Sequence, residues 1–511
     1  MNPQAPPIGH EVKKVVILGG GTAGLLCAMA FRQQLPDLDV TVVRSTKMGV
    51  IGVGEGTIVS VVHFLHNFLG IDSKAFHEQV EPSIKLGIRY LWGSRPQFYY
   101  TFSPQFTGLR PNLAYPTGYY CDDRFGYADM TSALMHHGKA CLRTPQGTPA
   151  LHGNFAYHLE NKKLVEFLEA QTDQPGLTKV DDLVVDVERG PSGVSAIQLE
   201  SGQRVAGDFF IDCSGFRSEL LGRTLGAERI DFSDALFCDR AVVGGWARTD
   251  EPYQPFTTAE TMDHGWAWQI EHDDILNRGY VFSSRFASDD EAAEEFRLKN
   301  PRLGEVRVIP FPAGVYRETW KDNVIAIGNA AGFVEPLEAT AIGMICDGIL
   351  NVVRVFQSSG CRPMPAQRSH YNQMIFKNWE IIRDFLALHY KYNGRLQTPF
   401  WETARNEVSI GALGPICEYY EQVGPDFSLL TADLKRDFFG AEGYLAMLVG
   451  QDVGYERSVE PTEADRAQWE SSIKAIGLRA RDGMGVMECC RHLRQHGLPG
   501  NVRGQGALGW S

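Results

Sequence analysis

The feature that most constrains this chain is a run of glycines set between a buried strand and an apolar helix near its start. Lys14-Val15-Val16-Ile17-Leu18 reads as a strand, Leu25 to Phe31 as a helical apolar run, and Val40 to Val43 as a second strand. Strands joined through a helix pair in parallel by a right-handed crossover, which calls for a doubly wound sheet. Between them, Gly19-Gly20-Gly21-Thr22-Ala23-Gly24 satisfies GxGxxG with Gly19, Gly21 and Gly24. The first glycine permits the tight turn, the second lets backbone approach a pyrophosphate, and the third lets helix pack on strand, with helix-terminal N–H groups facing the anion. Gly19, Gly21, Thr22, Ala23 and Gly24 are therefore predicted to form a dinucleotide site. At the end of the second strand, where an acidic residue usually takes the ribose hydroxyls, stand Arg44 and Ser45. Either Ser45 or backbone replaces that contact, or Arg44 meets a phosphate.

Further core strands, Asp208–Cys213 and Asn323–Ile327, lie far downstream, so the nucleotide unit is assembled from separated segments, 10–100, 150–240 and 305–360. Ala241 to Phe286 is rich in Trp, Tyr, Val and Thr, which favours a second sheet. Segments 100–150 and 241–304 are assigned to that inserted, substrate-side part. From about Tyr371 the apolar spacing turns helical, as in Trp379, Ile382, Phe385 and Leu386, making 361–511 a helical substrate module with a glycine-rich tail.

A second glycine-rich stretch, Ile51 to Thr57, implies backbone lying against something flat, for which isoalloxazine is a good candidate, touching Gly52, Val53, Gly54 and Glu55. Ile327 to Gly332, followed by Pro336 and an apolar helix from about Ala339, resembles the GDxxG stretch of flavin monooxygenases, with Asn329 in place of Asp. That likeness puts Gly328, Asn329, Leu337, Ala341 and Ile342 beside the flavin, where a helix N-terminus stabilises negative charge on the reduced ring or a bound halide. FAD is favoured over NAD. The sequence shows no second GxGxxG on a strand–helix unit, so FADH2 is expected from a separate NAD(P)H-dependent flavin reductase. The fold class is α/β: a discontinuous FAD-binding Rossmann-like domain of the flavin monooxygenase type, an inserted β-sheet and a mainly helical C-terminal substrate module.

A formal net charge of -13 argues against a nucleic-acid or anionic-membrane partner. The ten cysteines show no CxxC pair, so neither a metal site nor a disulfide framework is expected, and a reducing cytoplasm follows. The N-terminal residues do not read as a signal peptide, and no apolar run reaches membrane-spanning length.

Together these stretches and others resemble the flavin-dependent tryptophan-halogenase family over nearly the whole length. The matches continue with Ile84-Lys85-Leu86-Gly87 leading to Trp92, Tyr157-His158-Leu159-Glu160, and Ile211-Asp212-Cys213-Ser214-Gly215. They end with Gly265 to Ile270, Glu335-Pro336-Leu337-Glu338-Ala339-Thr340, and Thr398-Pro399-Phe400-Trp401. The resemblance implies FADH2- and O2-dependent halogenation, with chloride or bromide, of an electron-rich indole, phenol or pyrrole, free or carrier-bound. It gives Lys85 the role of directing hypohalous acid, Glu338 that of assisting carboxylate, and Thr340 and Ala341 that of supplying N–H groups to halide. Trp266, Trp268 and Ile270, alternating along one strand, would form a wall near the flavin. Glu271 stands where the family has Pro, and Ala339 where it usually has Ser, which marks a divergent subgroup. On spacing alone Lys85 reads as an exposed strand lysine opposite Ile84, Leu86 and Ile88; the resemblance reverses that reading. A homodimer is compatible with the sequence. An FAD-dependent aromatic monooxygenase is the competing activity, and a flavoprotein-like binding protein without catalysis the competing class.

Overall fold

Residues of the opening strand, Val15, Val16 and Ile17, are fully buried, because layers of structure cover both faces of their sheet. The computed structural model describes residues 11–49, 54–106, 113, 118, 120–121, 129–426, 438–457, 459–500 and 502. In the first sheet the strands Leu177–Asp181, Asp39–Arg44, Lys14–Leu18, Phe209–Asp212 and Val324–Ala326 lie in that order and in parallel. A short antiparallel strand, Trp320–Lys321, closes one edge. The three strands after the opening one fall where the sequence put them, and Leu177–Asp181 is an addition. The helix Thr22–Gln34 follows the glycine loop, and the helix Ala341–Ser359 packs beside it through Phe31 and Phe356, whose ring centroids are 5.5 Å apart. By length and mean hydropathy, 1.2, Ala341–Ser359 meets the composition of a membrane span, which the sequence reading did not anticipate. It is instead a core helix, with 67% of that window buried.

The second sheet has the order Arg307–Pro310, Arg240–Ala247, Ile275–Phe282, Gly265–Glu271, Phe256–Met262, Gly87–Leu91, Phe98–Thr101. Only Phe256–Met262 and Gly87–Leu91 pair in parallel. The expected range 241–304 is therefore too narrow: strands from 87–101 and 307–310 pair with the edges of the four strands between Arg240 and Phe282, satisfying backbone groups that an open edge would leave bare. Segment 150–240 likewise holds a separate antiparallel meander, Val184–Gly190, Gly193–Leu199 and Arg204–Ala206.

In the C-terminal part, Trp379, Ile382, Phe385 and Leu386 are buried on the 28-residue helix Pro365–Tyr392. This part is not helical throughout, since Met484–Gly485 pairs with Lys139–Arg143. Cys489 and Cys490 are both buried in the helix Val486–His496, and all ten cysteines are free thiols.

Candidate active site

The glycine loop is shaped by what a side chain would strike. Gly19 has φ +129°, and a Cβ there would lie 2.2 Å from the carbonyl oxygen of Cys213; at Gly24 it would lie 1.9 Å from the Gly19 carbonyl. These two glycines are demanded by strand and helix packing. Gly21 differs: a Cβ there meets nothing within 4 Å, so the fold leaves space in front of it. Gly21 is also the N-cap of the helix Thr22–Gln34 and brings no side-chain cap, leaving the first-turn N–H groups of Thr22, Ala23 and Gly24 for an external acceptor. The Thr22 hydroxyl is turned to Asn161, 3.0 Å away. Arg44 lies against Gly20 but is ion-paired with Glu169, with Asp181 4.0 Å away, so of the two roles left open, a free phosphate-binding arginine is not what the fold presents. Its Nε remains buried without a partner. Ser45 follows it, half-buried.

Beyond the loop a cavity of about 140 Å³ is lined by Gly54, Glu55, Gly56, Thr257, Trp268, Ile270, Asn329 and Ala339, among others. Gly52 and Val53 lie outside the described residues. Burial pushes the Glu55 carboxyl up to about 7. A second space, about 10 Å³, lies where Gly328, Asn329, Gly332, Thr340 and Ala341 meet at the N-terminus of the helix Ala341–Ser359. Gly328, Asn329, Thr340 and Ala341 thus come together. Leu337 and Ile342 are buried in the core, at 1% and 4% exposure, and line neither space. A flat ring beside the glycines, a pyrophosphate at the helix N-terminus and an anion at the next helix are all compatible with these residues, and FAD fits them.

Trp266 and Trp268 lie on one face of the strand Gly265–Glu271, with ring centroids 6.0 Å apart. They do different work. Trp268 lines the cavity with Ile270 and leaves its Nε1 buried without a partner; room for its ring comes from Gly279, where a Cβ would lie 2.0 Å from the indole. Trp266 instead points its Nε1 at Glu335 Oε2, 2.7 Å away, which also accepts from Tyr390 Oη at 2.5 Å. Burial pushes the Glu335 carboxyl up to about 7, against the lowering effect of those two donors. Glu271 is the last residue of that strand: it is 2% exposed, ion-paired with Arg248, and accepts from Gln269 Nε2 at 2.8 Å. The departure from Pro is therefore compensated by a partner of opposite charge.

Lys85 is decided by a change of sheet. Ser83–Lys85 pairs with Ala156–Leu159, which pairs on its other side with Glu55–Gly56, while Gly87–Leu91 belongs to the seven-stranded sheet. Alternation cannot carry across the switch at Leu86, and Ile84 and Lys85 are both fully buried. The exposed-lysine expectation from spacing is overturned for that reason. The amine donates to the Thr57 carbonyl at 3.0 Å and lies 5.4 Å from the Phe102 ring centroid. A Cβ on Gly56 would be 3.3 Å from Lys85 Nζ and 3.2 Å from Ala339 Cβ, so one missing methyl separates the amine from the cavity lining. Burial lowers the amine to about 7, although the Glu338 charge opposes the shift.

Glu338, 4% exposed, sits in a short turn before Ala339, whose φ of +55° reverses the chain into the helix Ala341–Ser359. Its Oε1 accepts from Tyr90 Oη and lies 2.9 Å from His389 Nε2. Around this group are aromatic rings: Tyr90 stacks on Phe98 at 5.0 Å, and Phe385 stacks on Phe439 at 3.8 Å and meets Tyr444 at 5.1 Å. Phe439 and Tyr444 belong to the late aromatic stretch of the sequence. Trp401 closes the floor, its Nε1 bonded to the Met262 carbonyl at 2.7 Å.

Tyr90, His389 and the role of Glu335 escaped the sequence reading. Tyr90 lies inside the quoted stretch from Ile84 to Trp92 and could have been found there; His389 is one polar residue on a long helix and carries no local signal.

A model of the tryptophan halogenase family matches residues 14–466. The tryptophan 6-halogenase SttH of Streptomyces toxytricini is 30% identical over 507 residues, covering 92% of this chain and 95% of the relative. Among solved structures, MibH, a lanthipeptide tryptophan 5-halogenase, superposes with a TM-score of 0.87 at 35% identity, covering 96% of this chain and 95% of that one. Xcc4156, a flavin-dependent halogenase from Xanthomonas campestris, does so with a TM-score of 0.82 at 28% identity, over 95% and 98%. A buried lysine beside a glycine-lined cavity, a buried carboxyl held by Tyr90 and His389 among aromatic rings, and these likenesses lead to one conclusion: the chain belongs to the tryptophan halogenase family and is a flavin-dependent halogenase acting on an aromatic substrate.

Proposed function

We propose that the chain brominates or chlorinates the indole ring of tryptophan, free or carried on a larger molecule, by passing hypohalous acid from the flavin side to the Lys85 amine. The observation that carries this is the place of Nζ: wholly buried, 3.0 Å from the Thr57 carbonyl, one glycine from the cavity and beside the Phe102 ring. The indole is chosen because SttH and MibH are tryptophan halogenases by name and because aromatic rings, Tyr90, Phe98, Phe385 and Phe439, cluster around Glu338.

Gly19, Gly21 and the N–H groups of Thr22 to Gly24 would hold the FAD pyrophosphate, Ser45 or nearby backbone the ribose hydroxyls, and Gly54, Glu55, Gly328, Asn329 and Ala341 the ring. Gly52 and Val53 belong to the same proposal. Reduced FAD with O2 supplies the two-electron oxidation of halide to hypohalous acid. Thr340 and Ala341 hold the halide, where the helix N-terminus favours an anion. Trp268 and Ile270 wall the aromatic substrate off from the ring, with Trp266 held behind them by Glu335. With an amine near 7, Lys85 is substantially neutral at pH 7 or above, so its lone pair can take the halogen or its N–H can hold the hypohalous oxygen. Ring carbon then takes the halogen, Glu338 steadies the cationic ring and accepts its proton, and the balance is HOX plus ArH to ArX plus water. A separate NAD(P)H-dependent flavin reductase is the partner, and ten free thiols agree with a reducing cytoplasm.

The test uses a flavin reductase with NADH, FAD, bromide and either L-tryptophan or a tryptophan-containing peptide. Product mass should show exchange of H for Br. Lys85→Ala should lower that product by about 1,000-fold or more while FAD binding persists. Oxygenated product without halide, or full bromination by Lys85→Ala, would overturn the reading.

A further inference from the structure

The carboxylate of Glu338 is pinned on one oxygen only. Tyr90 Oη donates to Oε1, and His389 Nε2 lies 2.9 Å from the same oxygen. Tyr90 Oη is also 3.2 Å from Nε2, so the three groups form a closed triangle. The other imidazole nitrogen, Nδ1, is 2.7 Å from the Phe385 carbonyl. A carbonyl only accepts, so Nδ1 carries a proton and donates it there. Tyr90 and His389 are fully buried and Glu338 nearly so, which keeps water from competing for these bonds.

The imidazole itself is clamped. The Phe385 ring meets it edge-on at 4.9 Å, the Tyr90 ring lies at 5.4 Å, and Trp92 Nε1 donates to the His389 carbonyl at 2.9 Å. No described residue donates to Glu338 Oε2. The titratable groups around the carboxyl are thus Tyr90 and His389 on the Oε1 side, with Lys85 near enough for its charge to be felt.

We propose that His389 is a positioning residue for halogenation: by occupying Oε1 together with Tyr90, it leaves Glu338 Oε2 as the oxygen that takes the proton from the halogenated ring. This rests on the reading of Glu338 as proton acceptor given above. In the step concerned, the ring already bears both H and halogen at one carbon. The C–H bond breaks, its electron pair restores the aromatic ring, and the proton passes to Oε2; no further oxidant or reductant enters. The two partners on Oε1 hold the carboxyl turned so that Oε2 stays available until that moment. Without His389 the carboxyl loses one of the two partners that fix its orientation, and Oε2 is no longer held in place to receive the proton. Ring deprotonation, otherwise fast, then limits turnover.

That shift is measurable. The experiment compares wild type, His389→Leu, His389→Gln and Tyr90→Phe in the FAD-loaded protein with reductase and bromide. The substrate is whichever of L-tryptophan or a tryptophan peptide the wild type brominates, with the indole ring protiated or fully deuterated. His389→Leu should lower kcat by about 30-fold with KM within about twofold, and raise the deuterium isotope effect on kcat from near 1 to about 2 or more. His389→Gln, which keeps an N–H donor, should recover part of the rate and lower the isotope effect. Tyr90→Phe removes the second donor and little volume, and should give the same signature at smaller size, which keeps the test informative where His389→Leu fails to fold. Wild-type kcat in a folded His389→Leu protein, or a loss of rate with no isotope effect in any variant, would overturn the proposal. A wild type that brominates neither substrate would instead remove the reading of function on which it stands.

Discussion

The flavin side and the substrate side of this site are built in opposite ways. On the proposed flavin side the chain contributes absences: Gly19, Gly24, Gly54 and Gly328 lack side chains that would strike neighbouring protein, and Gly21 leaves open space before a helix N-terminus. On the proposed substrate side it contributes bulk and charge, with Lys85 and Tyr90, Glu338, His389 and Phe439 arriving from four separate stretches, all but the half-buried Phe439 buried. Absences are local, since a glycine turn is specified by a few consecutive residues. A buried amine beside a buried carboxyl is not local, because each charge is tolerable only through partners brought by other elements. The two sides meet at Gly56, where the absence of one methyl brings the cavity up to the amine.

The contrast can be broken from either end. The largest effect is expected from Gly19→Ala, which combines φ +129° with a Cβ 2.2 Å from the Cys213 carbonyl oxygen. Its cost should reach about 3 kcal/mol or more and appear as a large fall in Tm with loss of FAD. Next comes pH. With the folded amine of Lys85 near 7 against an ordinary value of 10.5, bromination should rise about tenfold from pH 6 to pH 8 and then level off. The same shift has a stability sign. Between about 7 and 10.5 the unfolded chain binds the proton that the folded chain has released, so this group makes stability rise with pH across that window. Lys85→Met should therefore raise Tm most at pH 6 to 7, and the gain should shrink toward pH 10; an equal gain at all pH values would mean that the amine is not charged at the cost of burial. Gly21→Ala adds a methyl that meets nothing within 4 Å in the protein. It should leave the Tm of the FAD-free protein unchanged and weaken FAD by about fivefold, roughly 1 kcal/mol, read by fluorescence titration. Smallest is Gly56→Ala, whose methyl would sit 3.3 Å from Lys85 Nζ. Product formed per NADH consumed should fall by about threefold while NADH consumption itself holds.

The sequence made the first side legible to a large extent. The glycine loop, its flanking strand and helix, and the distant strands Phe209–Asp212 and Val324–Ala326 fell where periodicity put them. Sheet membership was less legible. Gly87–Leu91 and Arg307–Pro310 joined the inserted sheet because backbone pairing, which has no residue code, decides what an edge strand accepts. For Arg44 a charged residue beside the loop could be seen, but not that Glu169, on a helix far along the chain, would occupy it.

Lys85 marks the boundary most clearly. Alternation with Ile84, Leu86 and Ile88 reads as a half-exposed strand, and only likeness to a family argued otherwise. The strand breaks at Leu86 and changes sheet, so that both faces of Ser83–Lys85 are covered.

What the sequence by itself determined was the glycine loop with its strand and helix and the order of the chemistry-bearing stretches, because each is a short run whose residue types constrain one another; the lysine and the glutamate were singled out only by likeness to a family. Only the tertiary structure decided that the lysine is dry, that Glu335 holds Trp266, and that Tyr90 and His389 grip one oxygen of Glu338. The physical reason is that burial and hydrogen-bond partnership belong to space rather than to the chain: they are fixed when elements far apart in sequence pack, and that packing sets the proton affinity of each group.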